Sequence, residues 1–348
     1  MRRLSHRRVA AVSLAMLGLW LLLVLLSLNI GSVPIGPGRS AGLLWHRLLH
    51  GGGGTPAEVI LFSVRLPRIL LGSLVGAALA VAGTAFQCLL RNPLADPYVL
   101  GVSTGASMGT IIYSILAASS GSLAASGAGI YGRPLAAFLG AVMTVAAVYV
   151  VGGAGRQAGE GSQRLLLAGV VLASFLSSVN VFLLTGTDQA DLRGIFYWLI
   201  GDLSRPVDAS IYLVAAVVFG GFLILYGHGQ SLNLLSAGEE DALILGVEVR
   251  RVKAAVYLVA SLITGAVVSV SGPIAYIGLI CPHLGRMLFG SDNRILLPAV
   301  LVFGAIFTLG ADTVARTVLA PVELPVGVIT AICGAPLFIY LLYRRRYP

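Results

Sequence analysis

The sequence predicts an all-α, polytopic membrane protein of about ten spans, folded as one domain over residues 1–348. Three observations predict it. Hydrophobic residues make up 57% of the chain and charged residues 11%, whereas a soluble domain carries roughly 25% charged residues. The mean hydropathy is +0.93, and apolar runs of about 20 residues, enough to cross a bilayer core, recur along the whole length. The 44 glycines fit the same class, because small residues let membrane helices approach closely where no hydrophobic force drives them together.

The first expected span, residues 9–30, follows Arg2, Arg3, Arg7 and Arg8. It is longer than the roughly 7–15 residues of a signal-peptide core and lacks a small-residue cleavage site, so it reads as a retained span. A polar, glycine-rich stretch, residues 35–58, separates it from the second. Breakers then divide the chain into expected spans at 63–90, 97–118, 133–152, 164–186, 208–226, 252–271, 274–289, 294–318 and 325–343. Residues 191–201 read as an interfacial piece before the sixth, and residues 231–251 as a charged connector before the seventh.

The net charge of +9 does not imply nucleic acid. Cations cluster at both ends and in connectors, with no basic face interleaved with aromatic residues, which is the pattern of groups retained on the cytoplasmic side. With both termini on that side, 15 of the 23 Lys and Arg fall there and eight fall outside. Among the eight, Arg65 and Arg68 bracket Pro67 at the start of the second span, and Arg316 closes the ninth. Their bland explanation is snorkelling at helix ends.

Gly72 and Gly76 form one GxxxG, and Gly101, Gly105 and Gly109 form two in succession, which predicts close helix crossings. Arg91-Asn92-Pro93-Leu94-Ala95-Asp96-Pro97 breaks helical bonding twice. It reads either as a tight turn or as a place where Asn92 and Leu94 project into a pore. Gly238-Glu239-Glu240-Asp241 begins a short helix, and Arg250, Arg251 and Lys253 further on match the dipole sense of short helices. Such a helix either lies on lipid or docks into another protein.

Other chemistry is poorly supported. Cys88, Cys281 and Cys333 stand singly in apolar runs, as small buried hydrophobes, with neither disulfide nor metal spacing. Gly101-Val102-Ser103-Thr104-Gly105 matches a nucleophile elbow, yet apolar helix surrounds Ser103, and the candidate base His283 has no evident acid. An intramembrane serine hydrolase is thus a distant alternative. Asp312 and Arg316, four residues apart, suit a structural ion pair. An ion-driven secondary transporter would need acids near the bilayer centre, and the sole candidate, Asp312, lies near an outer end. The single lysine, Lys253, precedes Ala254, so no ATP-binding P-loop exists.

The segments VRLPRILLGSLVGAALAVAG, NPLADPYVLGVSTGA, RLLLAGV, LNLLSAGEEDALILGV, GPIAYIGLICPHLGR and ELPVGVITAICGAPLF occur in this order from about residue 60 onward. Together they resemble the FecCD family of ABC permeases. The resemblance implies a type II importer permease that is not itself an enzyme and carries no cofactor. It implies a homodimer of ten-span subunits, two ATP-binding cassette subunits holding ATP and Mg on the cytoplasmic side, and an extracytoplasmic substrate-binding protein. By resemblance, Arg65, Arg68 and Arg316 dock that binding protein. Gly238, Glu239, Glu240, Asp241, Leu245 and Gly246 couple to the ATPase. Asn92, Leu94, Ser162 and Gln163 form the cytoplasmic gate. The implied cargo is a metal chelate, with iron-siderophore ahead of haem and cobalamin, carried across a bacterial or archaeal cytoplasmic membrane.

Overall fold

The computed structural model describes residues 6–31, 33, 35–50, 54–119, 128–153, 161–186, 189–204 and 210–344. Among them every regular element is helical. In chain order they are α1 (His6–Asn29), α2 (Pro37–His50), α3 (Pro56–Leu89), α4 (Val102–Ser119), α5 (Ala128–Val151), α6 (Gly161–Thr185) and α7 (Gln189–Ile200). There follow α8 (Ser210–Gly227), α9 (Gly229–Ala237), α10 (Glu239–Ile244), α11 (Val249–Ser271), α12 (Ile277–Phe289), α13 (Asn293–Thr317) and α14 (Val326–Arg344). A 3-10 turn, Pro97–Leu100, precedes α4.

Among the described residues, seven helices are long and apolar enough to cross a membrane. Three shorter apolar helices, Leu14–Asn29, Ile277–Phe289 and Val326–Tyr340, coincide with the first, eighth and tenth expected spans. The third expected span begins late: residues 97–100 form the 3-10 turn, and the helix starts only at Val102, after Gly101 turns the chain at φ 75°. The stretch read as polar loop also holds a helix, α2. Its Leu43 and Leu44 pack on Leu28, Ile35 and Leu61, and Arg47 stacks 4.3 Å over the Phe62 ring.

Helix α3 is the centre of the bundle, contacting α11, α12 and α13 along its length. It can occupy that place because its packing positions are small. A Cβ on Gly76 would lie 2.2 Å from Gly304 O, and one on Gly83 would lie 1.9 Å from Gly278 O. The backbones of α12 and α13 therefore rest directly on α3. Gly105 meets Gly140 and Gly109 meets Ala136 in the same way, joining α4 to α5. Gly76, Gly105 and Gly109 thus serve the predicted packing, whereas a Cβ on Gly72 would meet only Leu203 Cδ1 at 3.2 Å and Gly101 lies in the turn before α4. Several buried hydroxyls in these helices, though not those of Ser261 and Thr308, turn back on their own backbone, as Thr84 does to Ala80 O at 2.8 Å and Thr264 to Ala260 O at 2.8 Å. That satisfies them without water.

Cys88 and Cys281 are buried as expected, but Cys333 is exposed on α14. Ser103 lies in the first turn of α4, where its carbonyl accepts from Ser107 Oγ. No strand leads into it, so the elbow geometry is absent.

Candidate functional site

The candidate residues gather at the two opposite ends of α3. At its start, the helix passes through a π-helical stretch, Ile60–Arg65, just before Pro67 removes a backbone donor. Arg65 and Arg68 both turn inward here. Arg65 Nη1 donates to Leu28 O at 2.7 Å and Nη2 to Val33 O, with its guanidinium beside Gly31, where a Cβ would sit 2.7 Å from Nη2. Arg68 reaches across to α13, placing Nη2 2.9 Å from Asp312 Oδ1 and Nη1 2.5 Å from Glu323 Oε2.

Arg316 Nε lies 3.1 Å from Asp312 Oδ2, an ion pair by distance that is not aligned as a hydrogen bond. Its Nη2 donates to Ser27 Oγ at 2.5 Å. The expected i,i+4 pair of Asp312 and Arg316 is therefore present, with Arg68 as a third member. Residue exposures are 4% for Arg65, 5% for Arg68 and 3% for Arg316. The snorkelling explanation is wrong for all three, since the cations turn into the protein toward carbonyls and carboxylates. Burying a charge costs several kcal/mol unless it is paired, and sequence reasoning missed Glu323, which helps to pair them. The two arginines on Asp312 also leave it poorly placed as a proton relay.

At the other end of α3 the chain leaves the helix through hydrogen bonds from Arg91 N to Cys88 O (3.3 Å) and from Asn92 N to Gln87 O (3.1 Å). These form a Schellman closure. Asn92 Oδ1 then accepts from Leu94 N at 2.9 Å, and Asp96 Oδ1 from Tyr98 N at 2.9 Å, so the turn is pinned by its own side chains. The Asn92 side chain thus serves the turn itself. Leu94 is free of such duty and 42% exposed. The 3-10 turn lies on α6, where Gly169 brings the backbones together: a Cβ there would be 2.6 Å from Val99 O. Beside it a cavity of about 510 Å³ is lined by Val151, Arg164, Leu167, Ala168, Val171 and Phe175, among others. Gln163 is exposed at the start of α6, and the Ser162 side chain lies outside the described residues.

The segment from Gly229 to Glu248 folds beneath this end as α9 and α10. Asn233 Nδ2 donates to Asp292 Oδ1 at 2.8 Å, and its Oδ1 accepts from Asn293 N at 2.8 Å, tying α9 to the start of α13. Helix α10 ends in a second Schellman closure, Gly246 N to Leu243 O at 3.0 Å and Val247 N to Ala242 O at 2.9 Å. Gly246 adopts φ 84°, a left-handed conformation that glycine enters without strain. Leu243, Ile244 and Leu245 are left at 48%, 82% and 64% exposure. Glu240 and Asp241 are exposed, but Glu239 is buried against Lys253 of α11 and against Arg91.

Two sequence expectations change here. Arg250, Arg251 and Lys253 do not close the short helix. They belong to the first turns of α11, where the dipole does not favour cations. Glu239, which the resemblance sets among the ATPase-coupling residues, is buried as an internal clamp, while Glu240 and Asp241 are exposed. Gln87 was also missed: it accepts from Arg286 Nη1 and donates toward Gly278 O and Leu279 O at 3.4 Å, joining the end of α3 to α12.

The model of the FecCD transport family matches residues 19–344. The chain belongs to the FecCD transport family. Among FecCD relatives, the cobalamin import system permease protein BtuC of Halobacterium salinarum is 40% identical, over 89% of this chain and 82% of its own. The hemin transport system permease protein HmuU of Yersinia pestis is 36% identical, over 95% of this chain and 96% of its own. A solved structure of an ABC transporter in an inward-facing conformation, assigned to the metal-chelate type, superimposes with a TM-score of 0.80 at 29% identity. It covers 96% of this chain and 99% of that one. As a FecCD protein this chain is a polytopic permease of the ABC importer class, and its place is a cytoplasmic membrane.

Proposed function

We propose that the chain carries an iron chelate across the membrane, with ferric siderophore as the first candidate and haem or cobalamin as alternatives. It does so as one half of a homodimer served by two ATP-binding cassette subunits and an extracytoplasmic binding protein. The observation that carries this reading is α10. A six-residue helix bracketed by Gly238 and Gly246 presents three consecutive apolar side chains outward, at the bundle end where Arg250, Arg251, Arg286 and Arg294 also collect. Such a tip suits a cleft on a partner better than it suits water.

On that reading α10 couples to the ATPase, which holds ATP and Mg, and both termini lie on the same cytoplasmic side. Leu94, the following turn and the start of α6 form the inner gate. The opposite end, with Arg65, Arg68 and Arg316, receives the binding protein, whose acids would have to compete with Asp312 and Glu323 for the buried guanidiniums. ATP-driven closure of the partner subunits would move α10 and rock the bundle between outward-open and inward-open states. The test is reconstitution with the cognate ATPase and binding protein, measuring uptake of a ferric siderophore, haem and cobalamin in parallel. ATP-dependent uptake of one of these is expected. Uptake driven by an ion gradient with the chain alone would overturn the proposal.

A further inference from the structure

Two helix ends close in the same way but with different residues. Both α3 and α10 finish in Schellman closures, which place one residue in the left-handed region. At the end of α10 that residue is Gly246, at φ 84°. At the end of α3 it is Arg91, at φ 49°. An L side chain in this region is strained, and glycine would serve the closure better. An arginine there needs a reason that lies in its side chain.

The side chain supplies one. Arg91 Nη2 lies 3.5 Å from Oε1 of Glu239, the first residue of α10, and Lys253 Nζ of α11 binds the same oxygen. Glu239 has only 4% of its side chain exposed, whereas Arg91 has 38%. The buried carboxylate is thus the fixed member, held from α11 by the only lysine in the chain. Arg91 is the arm that reaches it. Downstream of Arg91 the turn has little freedom, because Asn92 Oδ1 holds Leu94 N and Ala95 N holds Asn92 O at 3.0 Å. A displacement of Arg91 is therefore passed to Leu94 rather than absorbed in between.

We infer that Arg91 and Glu239 are positioning residues that tie α10 to the turn at residues 91–95, so that movement of α10 is delivered to Leu94 through their ion pair. This rests on reading α10 as the ATPase contact and Leu94 as part of the gate. Lys253 keeps Glu239 on α11, and Arg91 conveys its position to the end of α3. A strained conformation is retained at residue 91 because the link needs a long cation at that point.

Arg91→Gly separates this role from a merely structural one, since glycine suits the closure and removes only the arm. In the full-length protein in nanodiscs, amide hydrogen exchange in residues 239–247 should rise about two- to fivefold, the range expected for losing one partly exposed ion pair. The amides of residues 91 and 92 should stay protected in that variant. In the assembled importer the same variant should lower uptake per ATP hydrolysed. Unchanged exchange in residues 239–247 would overturn the link, and altered exchange with normal uptake per ATP would overturn its role in transmission. The exchange measurement needs no ATPase. A failure of the ATPase-contact reading shows separately, as co-purification of the ATPase that Ile244→Glu does not disturb.

Discussion

Asp312→Asn keeps the size of the side chain and removes its charge. In the folded protein Asp312 is 1% exposed, and it faces Arg68 Nη2 at 2.9 Å and Arg316 Nε at 3.1 Å. Without its charge, the buried guanidiniums of Arg65, Arg68 and Arg316 share only Glu323 among the described carboxylates near them. Removing one partner of a buried pair costs about 3–5 kcal/mol, whereas an exposed pair is worth about 0–1 kcal/mol. Glu323, with 36% of its side chain exposed, lies nearer the second case. Asp312→Asn should therefore destabilise the protein at least about three times as much as Glu323→Gln. Cys88 and Cys281 are buried, so a thiol-reactive dye in a Cys333→Ala background reports thermal unfolding directly. Combining Asp312→Asn with Arg316→Gln should cost less than the sum of the single changes, because residues in one network are not additive. If Asp312→Asn melts with Glu323→Gln, or the double variant is strictly additive, Asp312 is not what holds these cations in the protein.

Gly76→Ala should cost about 1–3 kcal/mol as overpacking, because its Cβ would fall 2.2 Å from both Gly304 O and Thr308 Oγ1; reduced yield of monodisperse protein and a lower melting temperature check this. Ile244→Glu, at 82% exposure, should leave melting within about 0.5 kcal/mol of the parent while abolishing co-purification of the ATPase. Hydrogen bonds from Arg294 hold the Asp292 carboxyl down to about 2, opposed by partial burial and helped by Asn233. A carboxylate with a depressed folded pKa stabilises fully above its unfolded value and loses that contribution as pH falls through the folded one. The exchange protection of residues 229–233 should therefore exceed that of Asp292→Asn at neutral pH, and the difference should shrink from about pH 4 downward and be largely lost near pH 2; a difference undiminished at pH 2 would contradict the assignment.

The apolar runs made the spans legible because length and hydropathy suffice to place a helix in a bilayer. The glycine spacings marked the α4–α5 crossing and, through Gly76, the α3–α13 crossing for the same kind of reason. Helix α2 was hidden because glycines and polar residues flank it, and its packing on Leu28 and Leu61 appears only in three dimensions. The inward turn of Arg65, Arg68 and Arg316 was equally hidden. Their off-side placement was visible, but Glu323, Ser27 and the carbonyls of Leu28 and Val33 come from distant parts of the chain. Glu239 illustrates the same limit, since nothing in Gly238-Glu239-Glu240-Asp241 says which acid is buried. A tertiary partner, Lys253, decides it.

The position of α3 also constrains how the protein can be made. Its most apolar stretch is 89% buried within the protein, yet the helices that bury it, α11, α12 and α13, begin only at Val249. At ordinary synthesis rates of about 5–20 residues per second, the interval of about 160 residues between Leu89 and Val249 takes roughly 10–30 s. Throughout that time the glycine faces of α3 that receive α12 and α13 lack those partners, and of the helices that contact α3 only α1, α8 and α9 are made before Val249. Quality control of this permease should accordingly be most sensitive to lesions in its last third, because they leave an early and otherwise sound helix without its neighbours.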